Sequence, residues 1–414
     1  MEYGCIGEHL THSFSAEIHR ELASYRYEIQ ELTPNELGPF LTAADFRGIN
    51  VTIPYKEKVI PYLAEIDEHA KVIGAVNTIV NRGGKLYGYN TDFYGMSQLI
   101  RRIGLSLVGK KVAVLGTGGT SRTARAVAES MGALEVLCVS RTERENIIGY
   151  ERLYREHADT QILINTTPCG MYPNPNGVAV DVSLFPNLEG VVDAVYNPLR
   201  PQLVLDAMAK DIAAEGGLYM LVAQAVRASE IFLDITYPPE ALDRVYRKIL
   251  RQKENMVLVG MPGCGKSTVG ALLSKHLQMP LFDVDAEIVK AAGRPIYEIF
   301  ATDGEAAFRD LESRVIAEQL ALRTGVILAT GGGAILRESN VNELRRNGRL
   351  YFLDRPLCDL LPTDDRPLAS SVEAIRRRYE ERYDRYCRVA DCCIAVKGDA
   401  AWVAAEIEKE WNTL

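Results

Sequence analysis

The stretch VLVGMPGCGKSTVG, Val257–Gly270, decides how the C-terminal part of this chain folds. It satisfies the pattern G-x-x-x-x-G-K-[ST], overlaps the end of the apolar stretch NMVLV and includes the start of the helical stretch TVGALLSKHL. Glycines in such a loop let backbone N–H groups converge on phosphate oxygens, and the N-terminus of the following helix adds positive potential. The pattern predicts a strand, a phosphate-binding loop and a helix, which together open a new α/β domain.

The residues of this phosphate loop have separate expected roles. Lys266 is expected to reach the outer phosphates of a nucleoside triphosphate, and the Ser267 hydroxyl is expected to bind Mg²⁺. The predicted nucleotide-binding residues are Gly260, Gly263, Cys264, Gly265, Lys266, Ser267 and Thr268.

A second glycine-rich stretch, VLGTGGTSR at Val114–Arg122, lies in the first half of the chain. It overlaps the strand sequence KVAVL and leads into the helical sequence SRTARAVAESM. This order of strand, glycine loop and helix is typical of a dinucleotide-binding domain. The next strand ends in VSRT, at the place where domains that prefer NAD carry Asp or Glu for the ribose hydroxyls. An arginine there can face a 2′-phosphate, so the sequence favours NADP(H). The predicted cofactor residues in these stretches are Gly116, Gly118, Gly119, Ser140, Arg141 and Thr142.

Length and composition limit the class of protein. With 414 residues, the chain is too long for one ordinary core, so two or three domains are expected. Apolar residues make up 47% and charged residues 25%, which is typical of a soluble globular protein. The net charge of -8 argues against a nucleic-acid partner. Because no signal-like N-terminus or membrane-length apolar run is seen and the cysteines are scattered, we expect a cytoplasmic protein with reduced thiols.

Five short motifs follow the phosphate loop in order: FDVD, AFRDLE, LATGGGAIL, DDRPLA and ERYDRY. With the loop, they resemble shikimate kinase from about Met256 to the C-terminus. The resemblance implies ATP as the phosphoryl donor, Mg²⁺ near Ser267 and Asp283, and a parallel sheet of the nucleoside-monophosphate-kinase type. It also implies a lid whose Arg366 acts in catalysis with Lys266. The implied substrate-binding residues are Asp285, Arg309, Gly331, Gly332, Gly333 and Arg382, the two arginines as a carboxylate clamp.

Another ordered set of motifs precedes the phosphate loop: HSFS, NVTIPYK, GAVNT, YNTDFYG, INTTPCGM, DAVYNP and MLVAQA. It resembles shikimate dehydrogenase over about Met1–Leu233. A carbonyl reduced by hydride needs a proton on the developing alkoxide. The resemblance implies that Lys56 and Asp92 are both catalytic, but it leaves open which of them donates the proton. It also adds Gly217 to the cofactor residues. The implied substrate-binding residues are Ser13, Ser15, Asn50, Thr52, Asn77, Tyr196 and Gln224.

Three departures from the family patterns stand out. Pro362 and Thr363 occupy the lid positions where shikimate kinases often have another arginine. Ala16 stands where the dehydrogenase family commonly has proline, and Ser140 takes the first position of the usual Asn-Arg-Thr cofactor motif. None of them removes a predicted catalytic group, but the adenine contacts of the kinase stay undetermined.

The expected organisation is α/β throughout, because short apolar runs alternate with amphipathic stretches. We predict a substrate-binding domain over residues 1–103, a Rossmann-like NADP domain over 104–217, and helices within 218–250 that return to the first domain. A linker is predicted over 234–255 and a phosphate-loop kinase domain over 256–414. Predicted strands include GINVTI (Gly48–Ile53), AVNTIV (Ala75–Val80) and the last one, CCIAVKGDAAWV (Cys392–Val403).

The two resemblances name consecutive reactions on small-molecule substrates in aromatic amino acid biosynthesis. We expect NADPH-dependent reduction of 3-dehydroshikimate to shikimate, then ATP-dependent phosphorylation of shikimate to shikimate 3-phosphate. One alternative is a quinate/shikimate dehydrogenase that uses NAD, fused to a kinase-like domain. Another makes one half a non-catalytic binding module and predicts losses among Lys56, Asp92, Lys266 and Asp285, all of which are present. Oligomeric state and channelling between the domains stay open.

Overall fold

The computed structural model describes residues 1–8, 10, 14–360 and 371–413. The chain divides into two compact units, Met1–Ile249 and Leu250–Leu414. The predicted site residues Ser13 and Arg366 lie outside the described residues, as do Pro362 and Thr363. Within the described part, no helix combines the length and the apolar character needed to cross a membrane.

The first sheet of the N-terminal unit is mixed, with the strand order β2-β1-β3-β5-β6-β4. Strands β1, β2 and β3 are parallel, whereas β5 runs antiparallel to both β3 and β6. The strand predicted at Ala75–Val80 begins later, at Thr78, and the preceding Asn77 belongs to the site described below. The strands are β1 (Tyr3–Gly7), β2 (Tyr27–Glu31), β3 (Gly48–Val51), β4 (Glu65–Ile66), β5 (Thr78–Arg82) and β6 (Lys85–Tyr89). The helices are α1 (Ser15–Leu22), α2 (Pro34–Ala43), α3 (Glu68–Ile73) and α4 (Thr91–Arg102).

The second sheet of this unit is fully parallel and has the Rossmann strand order, β12-β11-β10-β7-β8-β9. The order reverses between β7 and β10, so a crevice opens at the carboxyl ends of these two strands, where dinucleotides bind in such folds. The strands are β7 (Lys111–Leu115), β8 (Glu135–Ser140), β9 (Ile148–Gly149), β10 (Ile162–Asn165), β11 (Gly190–Asp193) and β12 (Ala213–Glu215). The helices are α5 (Gly119–Ser130), α6 (Tyr150–Glu156) and α7 (Gln202–Met208).

Two further helices follow the second sheet, α8 (Leu218–Leu233) and α9 (Ala241–Lys253). Helix α8 packs against α1 and α4, and Phe232 near its end contacts the ring of Tyr3 at a centroid distance of 5.6 Å. Helix α9 occupies much of the stretch predicted as a linker. Its apolar face is buried, and Tyr246 from this face stacks on the Arg102 guanidinium. Most of this polar stretch is therefore packed helix.

The C-terminal unit is built on a parallel sheet with the order β14-β15-β13-β16-β17, as expected for the nucleoside-monophosphate-kinase type. Its central strand is buried along its whole length, because helices cover both faces of a parallel sheet. The strands are β13 (Asn255–Val259), β14 (Leu281–Asp283), β15 (Ile327–Ala329), β16 (Gly348–Asp354) and β17 (Cys392–Ala395). The helices are α10 (Lys266–Leu277), α11 (Val284–Ala292), α12 (Ile296–Thr302), α13 (Gly304–Val315), α14 (Glu338–Asn347), α15 (Val372–Val389) and α16 (Ala400–Thr413).

The prediction of one long final strand was wrong in its second half. Strand β17 ends at Ala395 and helix α16 begins at Ala400. The Asp399 carboxylate accepts a hydrogen bond from the backbone N–H of Trp402 at 2.9 Å, so it satisfies a free donor at the start of this helix.

Candidate active sites

The Lys56–Asp92 pair marks the candidate site of the N-terminal unit. Lys56 follows the turn after β3, and its Nζ donates to Oδ2 of Asp92 at 2.6 Å. Asp92 lies in the first turn of α4, where free backbone N–H groups favour a carboxylate. The Lys56 and Asp92 side chains are 16% and 11% exposed, so the pair is mostly shielded but still open to a ligand. Such a pair can hold a proton and deliver it to a developing alkoxide.

A buried polar network positions the start of α4 and hence Asp92. The Asn90 side chain accepts from the N–H of Phe93 at 3.2 Å and donates to the carbonyl of Ala75 at 2.9 Å. The Asn77 side-chain oxygen accepts from the N–H of Thr91 at 2.7 Å. Two asparagines from the preceding strands and turns therefore fix the helix terminus that carries the carboxylate.

Asn50 and Gln224, two other predicted substrate-binding residues, join the same network. Asn50 donates to Thr78 Oγ1 at 3.1 Å and accepts from the Tyr27 hydroxyl at 2.7 Å. Gln224 comes from α8, and its side-chain oxygen lies 3.5 Å from the Thr91 hydroxyl. The structure therefore brings together Asn50, Asn77 and Gln224, which lie far apart in the sequence.

The other described substrate-binding candidates lie in different surroundings. Thr52 is half-buried, and its backbone N–H donates to the carbonyl of Ile6 at 3.0 Å. Ser15 begins α1 and is half-buried. Burial raises the pKa of Tyr196, whose ring meets that of Phe14 edge-on at 5.3 Å.

The predicted cofactor loop lies beside Lys56. A Cβ at Gly119 would be 3.9 Å from Cδ of Lys56, and a Cβ at Gly118 would meet no atom within 4 Å. Gly116 has φ +113°, and a Cβ there would be 2.7 Å from Oγ1 of Thr166. The turn therefore leaves open space in the crevice next to the lysine, where a nicotinamide ring would have to lie for hydride transfer.

The remaining predicted cofactor residues have different surroundings. Arg141 and Thr142 are exposed directly after Ser140, the last residue of β8, which is the place expected for contact with a ribose phosphate. Burial raises the pKa of Tyr150, and the positive charge of Arg141 opposes this shift. Close packing requires a glycine at position 217, because a Cβ on Gly217 would lie 2.3 Å from the carbonyl oxygen of Ala194.

A buried carboxylate behind the cofactor crevice was missed by the sequence reasoning. The Asn165 amide donates to both oxygens of Asp193 at 3.0 Å, and the Asp193 carboxylate also accepts from the N–H of Val195 at 2.9 Å. The Asn165 oxygen in turn accepts from the N–H of Thr167 at 3.0 Å. Burial raises the pKa of Asp193 to about 7. The Asn in INTTP and the Asp in DAVYNP were the available signal, since they end β10 and β11 at the edge of a parallel sheet where loops bind ligands.

In the C-terminal unit, the phosphate loop forms as predicted between β13 and α10. Gly260 and Gly265 have φ of +148° and +103°, a backbone conformation that side chains with a Cβ rarely adopt. Lys266 Nζ donates to the carbonyls of Gly260 at 2.8 Å and Met261 at 3.0 Å. The lysine is therefore held within its own loop, ready to exchange these carbonyls for phosphate oxygens.

Ser267 and Asp283, the two predicted magnesium ligands, are in contact. The Ser267 hydroxyl donates to Oδ2 of Asp283 at 2.7 Å, while Oδ1 of Asp283 accepts from the N–H of Asp285 at 3.0 Å. Both offer oxygen atoms, which Mg²⁺ prefers, and Mg²⁺ commonly takes only one or two protein ligands with phosphates and water for the rest. The residues therefore fit the ion. No cluster of three or more His, Cys, Asp or Glu residues suited to a metal occurs in the described part of the chain.

A pocket of about 600 Å³ extends from the phosphate loop and brings together the predicted substrate-binding residues. Arg382 Nη1 donates to the carbonyl of Gly332 at 3.1 Å. A Cβ at Gly333 would lie only 2.2 Å from the Arg309 guanidinium, so the triple glycine lets this arginine approach the backbone. The two arginines converge on one loop, a geometry suited to a carboxylate. The predicted residues that line the pocket are Gly263, Gly265, Lys266, Ser267, Thr268, Asp283, Asp285, Arg309, Gly331, Gly332, Gly333 and Arg382.

Glu312, the last residue of the motif AFRDLE, lines the kinase pocket, although the sequence did not predict a role for it in the site. It accepts from Arg309 Nη1 at 2.8 Å through Oε2, and its side chain is fully buried. Its Oε1 has no hydrogen-bond partner among the described residues. Burial raises the pKa of Glu312, and the charge of Arg309 opposes this shift. The sequence does carry a signal for this pairing: Arg309 and Glu312 are three residues apart on α13, so both side chains lie on one helix face.

Comparisons with known proteins agree with both halves. A family model described as the shikimate dehydrogenase substrate binding domain matches residues 5–79, and one described as shikimate kinase matches residues 262–412. A shikimate dehydrogenase (NADP(+)) from Clostridium perfringens strain 13 is 37% identical over 265 residues, which cover 60% of this chain and 97% of that protein.

Solved structures also resemble the N-terminal part of the chain. Shikimate dehydrogenase 1 from Peptoclostridium difficile is 33% identical, with a TM-score of 0.56, and the match covers 60% of this chain and 98% of that one. Shikimate 5-dehydrogenase from Thermus thermophilus, solved in complex with NADP(H) and shikimate, is 27% identical, with a TM-score of 0.54 and coverage of 60% and 99%. Both resemblances are confirmed: the chain belongs to the shikimate dehydrogenase family and also carries a shikimate kinase domain, so it is an enzyme with an oxidoreductase part and a kinase part.

Proposed function

We propose that the chain performs two consecutive reactions: NADPH-dependent reduction of 3-dehydroshikimate to shikimate, and ATP-dependent phosphorylation of shikimate to shikimate 3-phosphate. The observation that carries the proposal is that each unit holds its own set of groups for one reaction. The N-terminal unit has a Lys56–Asp92 pair beside a dinucleotide turn. The C-terminal unit has a phosphate loop and a two-arginine clamp in one pocket.

The dehydrogenase step needs a hydride and a proton. NADPH, bound along the glycine turn, supplies the hydride to the carbonyl carbon. The proton for the alkoxide oxygen comes from the Lys56–Asp92 pair, in which the 2.6 Å hydrogen bond fixes the direction of the Lys56 side chain. Asn50, Asn77 and Gln224 would orient the ring hydroxyls and the carboxylate, together with Ser13, Ser15, Thr52 and Tyr196.

The preference for NADP(H) over NAD(H) is part of the proposal. It rests on Arg141, which is exposed at the carboxyl end of β8 where an acidic residue would favour NAD. It also rests on the similarity to a protein named as a shikimate dehydrogenase (NADP(+)).

The kinase step is proposed to use the groups along the pocket in sequence. ATP, with Mg²⁺ held by Ser267 and Asp283, supplies the phosphoryl group. Lys266 exchanges its bonds with the loop carbonyls for phosphate oxygens, and Asp285 orients the attacking hydroxyl. Arg309 and Arg382 hold the substrate carboxylate, so the hydroxyl points toward the phosphate loop. Arg366 remains a proposed catalytic residue of the lid, outside the described residues.

One assay tests both reactions. The purified chain is incubated with 3-dehydroshikimate, NADPH, ATP and Mg²⁺, and oxidation of NADPH and release of ADP are followed separately. Both signals are expected, with ADP release starting only after shikimate has formed. NADPH oxidation without ADP release would refute the kinase half, and the reverse result with added shikimate would refute the dehydrogenase half. Faster oxidation of quinate with NAD than of shikimate with NADP would establish the alternative substrate and cofactor.

A further inference from the structure

Arg378 is a pocket residue for which neither half of the proposed mechanism has a role. It lies on α15 one helical turn before Arg382, and both arginines line the kinase pocket. Its Nη1 donates to the carbonyl of Ala374 in its own helix at 3.2 Å. Among the described residues, no carboxylate lies within ion-pair distance of Arg378, that is, within 4.0 Å.

Neighbouring arginines differ from Arg378 in this respect. Arg377, the preceding residue, pairs with Glu381 at 2.9 Å and is 82% exposed. Arg309, on α13, is held by Glu312 and also lies 3.3 Å from Glu305. Arg378 therefore faces the pocket without a close carboxylate from the described part of the chain, so its charge is available to a ligand.

The electrostatics at Arg378 favour an incoming anion. Burial lowers the pKa of its guanidinium, and the positive charge of Arg382 lowers it further. Two cations one turn apart in a partly shielded pocket repel each other until a negative group binds between them. Glu305 and Glu381 oppose the effect only in part. An anion bound at this end of the pocket is therefore stabilised more strongly than it would be by the two arginines of the clamp alone.

We propose that Arg378 is a third guanidinium of the substrate site, which binds the carboxylate of the acid substrate together with Arg309 and Arg382. A carboxylate has about four lone-pair positions, enough for three guanidinium donors. The hydrophobic side of the pocket, with Ile296, Phe300 and Phe308, would cover the ring. This inference rests on the proposed kinase function of the same pocket.

Equilibrium binding of shikimate tests the inference on the full chain. Every chain carries Lys56→Met and Asp92→Asn, which remove the charged pair of the dehydrogenase site. This background chain is compared with versions that add Arg378→Gln, Arg378→Lys or the control Arg377→Gln. Isothermal titration calorimetry is carried out without nucleotide or NADP(H). A background chain that adds Arg382→Ala measures the heat that does not come from binding in the kinase pocket. Arg378→Gln is expected to weaken binding by about tenfold, the effect of one charge-assisted hydrogen bond. Arg378→Lys is expected to restore part of it, and Arg377→Gln to have no effect.

Steady-state kinetics provides the second readout. Arg378→Gln is expected to raise the KM for shikimate by about tenfold while the KM for ATP and kcat change by less than about twofold. An unchanged KM for ATP also shows that the variant is folded. Equal shikimate affinity of Arg378→Gln and its parent chain would overturn the inference, as would a rise in the KM for ATP alone. Failure of the wild type to phosphorylate shikimate would instead refute the proposed function.

Discussion

Arg309 and Glu312 form an ion pair at 2.8 Å in which the carboxylate side chain is fully buried. The pair lies on one face of α13, and Glu312 fixes one nitrogen of Arg309 while the guanidinium reaches the triple-glycine loop. A buried carboxylate with one oxygen that no described residue binds is unfavourable for stability by itself. Its position is explained if it holds Arg309 in the orientation that a substrate carboxylate requires.

Replacing Glu312 is therefore expected to affect both substrate binding and stability. Glu312→Gln is expected to weaken shikimate binding by roughly tenfold, because Arg309 loses a charge-assisted hydrogen bond that orients it. The free energy of unfolding of the C-terminal unit is expected to fall by about 3 kcal/mol, since the mostly buried guanidinium of Arg309 keeps its charge without the carboxylate that pairs with it. Titration calorimetry and urea denaturation measure the two effects. The exposed Asp310→Asn, which loses only a bond to Arg337, is the control.

The Lys56–Asp92 pair makes a prediction for the dehydrogenase half alone. Lys56→Met is expected to lower kcat for 3-dehydroshikimate reduction by roughly 10²–10⁴-fold, since the proton for the alkoxide is lost. The kinase rate of the same chain should stay unchanged, because its groups lie in the other unit. NADPH oxidation and ADP release give the two rates. Lys58→Met, two residues away and exposed, is the matched control, and an unimpaired Lys56→Met would remove the pair from the mechanism.

The Ser267–Asp283 contact predicts a change in the metal requirement. Asp283→Asn is expected to raise the Mg²⁺ concentration for half-maximal kinase rate by about tenfold, because one anionic oxygen is lost. The start of α11 should remain intact, since the asparagine oxygen can still accept from the N–H of Asp285. ADP release measured over a series of Mg²⁺ concentrations gives the shift. Asp384→Asn, exposed on α15, should leave the curve unchanged.

Asp193 predicts a pH dependence of stability in the N-terminal unit. Its folded pKa of about 7 lies above the unfolded value, so the favourable contribution of the protonated form is complete below the unfolded pKa and is lost as the pH rises toward 7. The wild type should therefore lose stability relative to Asp193→Asn between about pH 4 and pH 7, at up to about 1.4 kcal/mol per pH unit. Above about pH 8 the difference should level off, because the carboxyl group is then ionised in both states.

Urea unfolding of the N-terminal unit, followed at several pH values, checks this relationship. In Asp193→Asn, the side-chain oxygen can still accept from the N–H of Val195, so the local turn is preserved. Asp181→Asn, which changes an exposed carboxylate of the same region, is the control. A difference between Asp193→Asn and wild type that did not vary with pH would show that the carboxyl group is not the source.

The locally encoded parts of the molecule were predictable. The phosphate loop follows from glycine spacing between a strand and a helix, because positive φ at Gly260 and Gly265 is a local requirement. The parallel sheets follow from alternating apolar and amphipathic segments, and the two resemblances follow from motifs in a fixed order. Predictions of where elements end were less accurate. The final strand was predicted too long, because the apolar residues after it did not indicate the helix whose N-terminus the Asp399 side chain caps.

Other parts of the sites depend on contacts between distant segments. Glu312 and Asp193 are ordinary acidic residues in the sequence, and only their burial and their partners Arg309 and Asn165 give them a role. Arg378 and Arg377 are neighbours of the same type, yet one faces the pocket and the other the solvent.

The sequence by itself determined the fold class and the two families and predicted the residue types of both candidate sites, because these depend on local spacing and on the order of motifs. The tertiary structure alone decided which charges are desolvated and which side chains meet. Desolvation and ion pairing depend on what packs around a group, and those neighbours come from parts of the chain that local patterns do not connect.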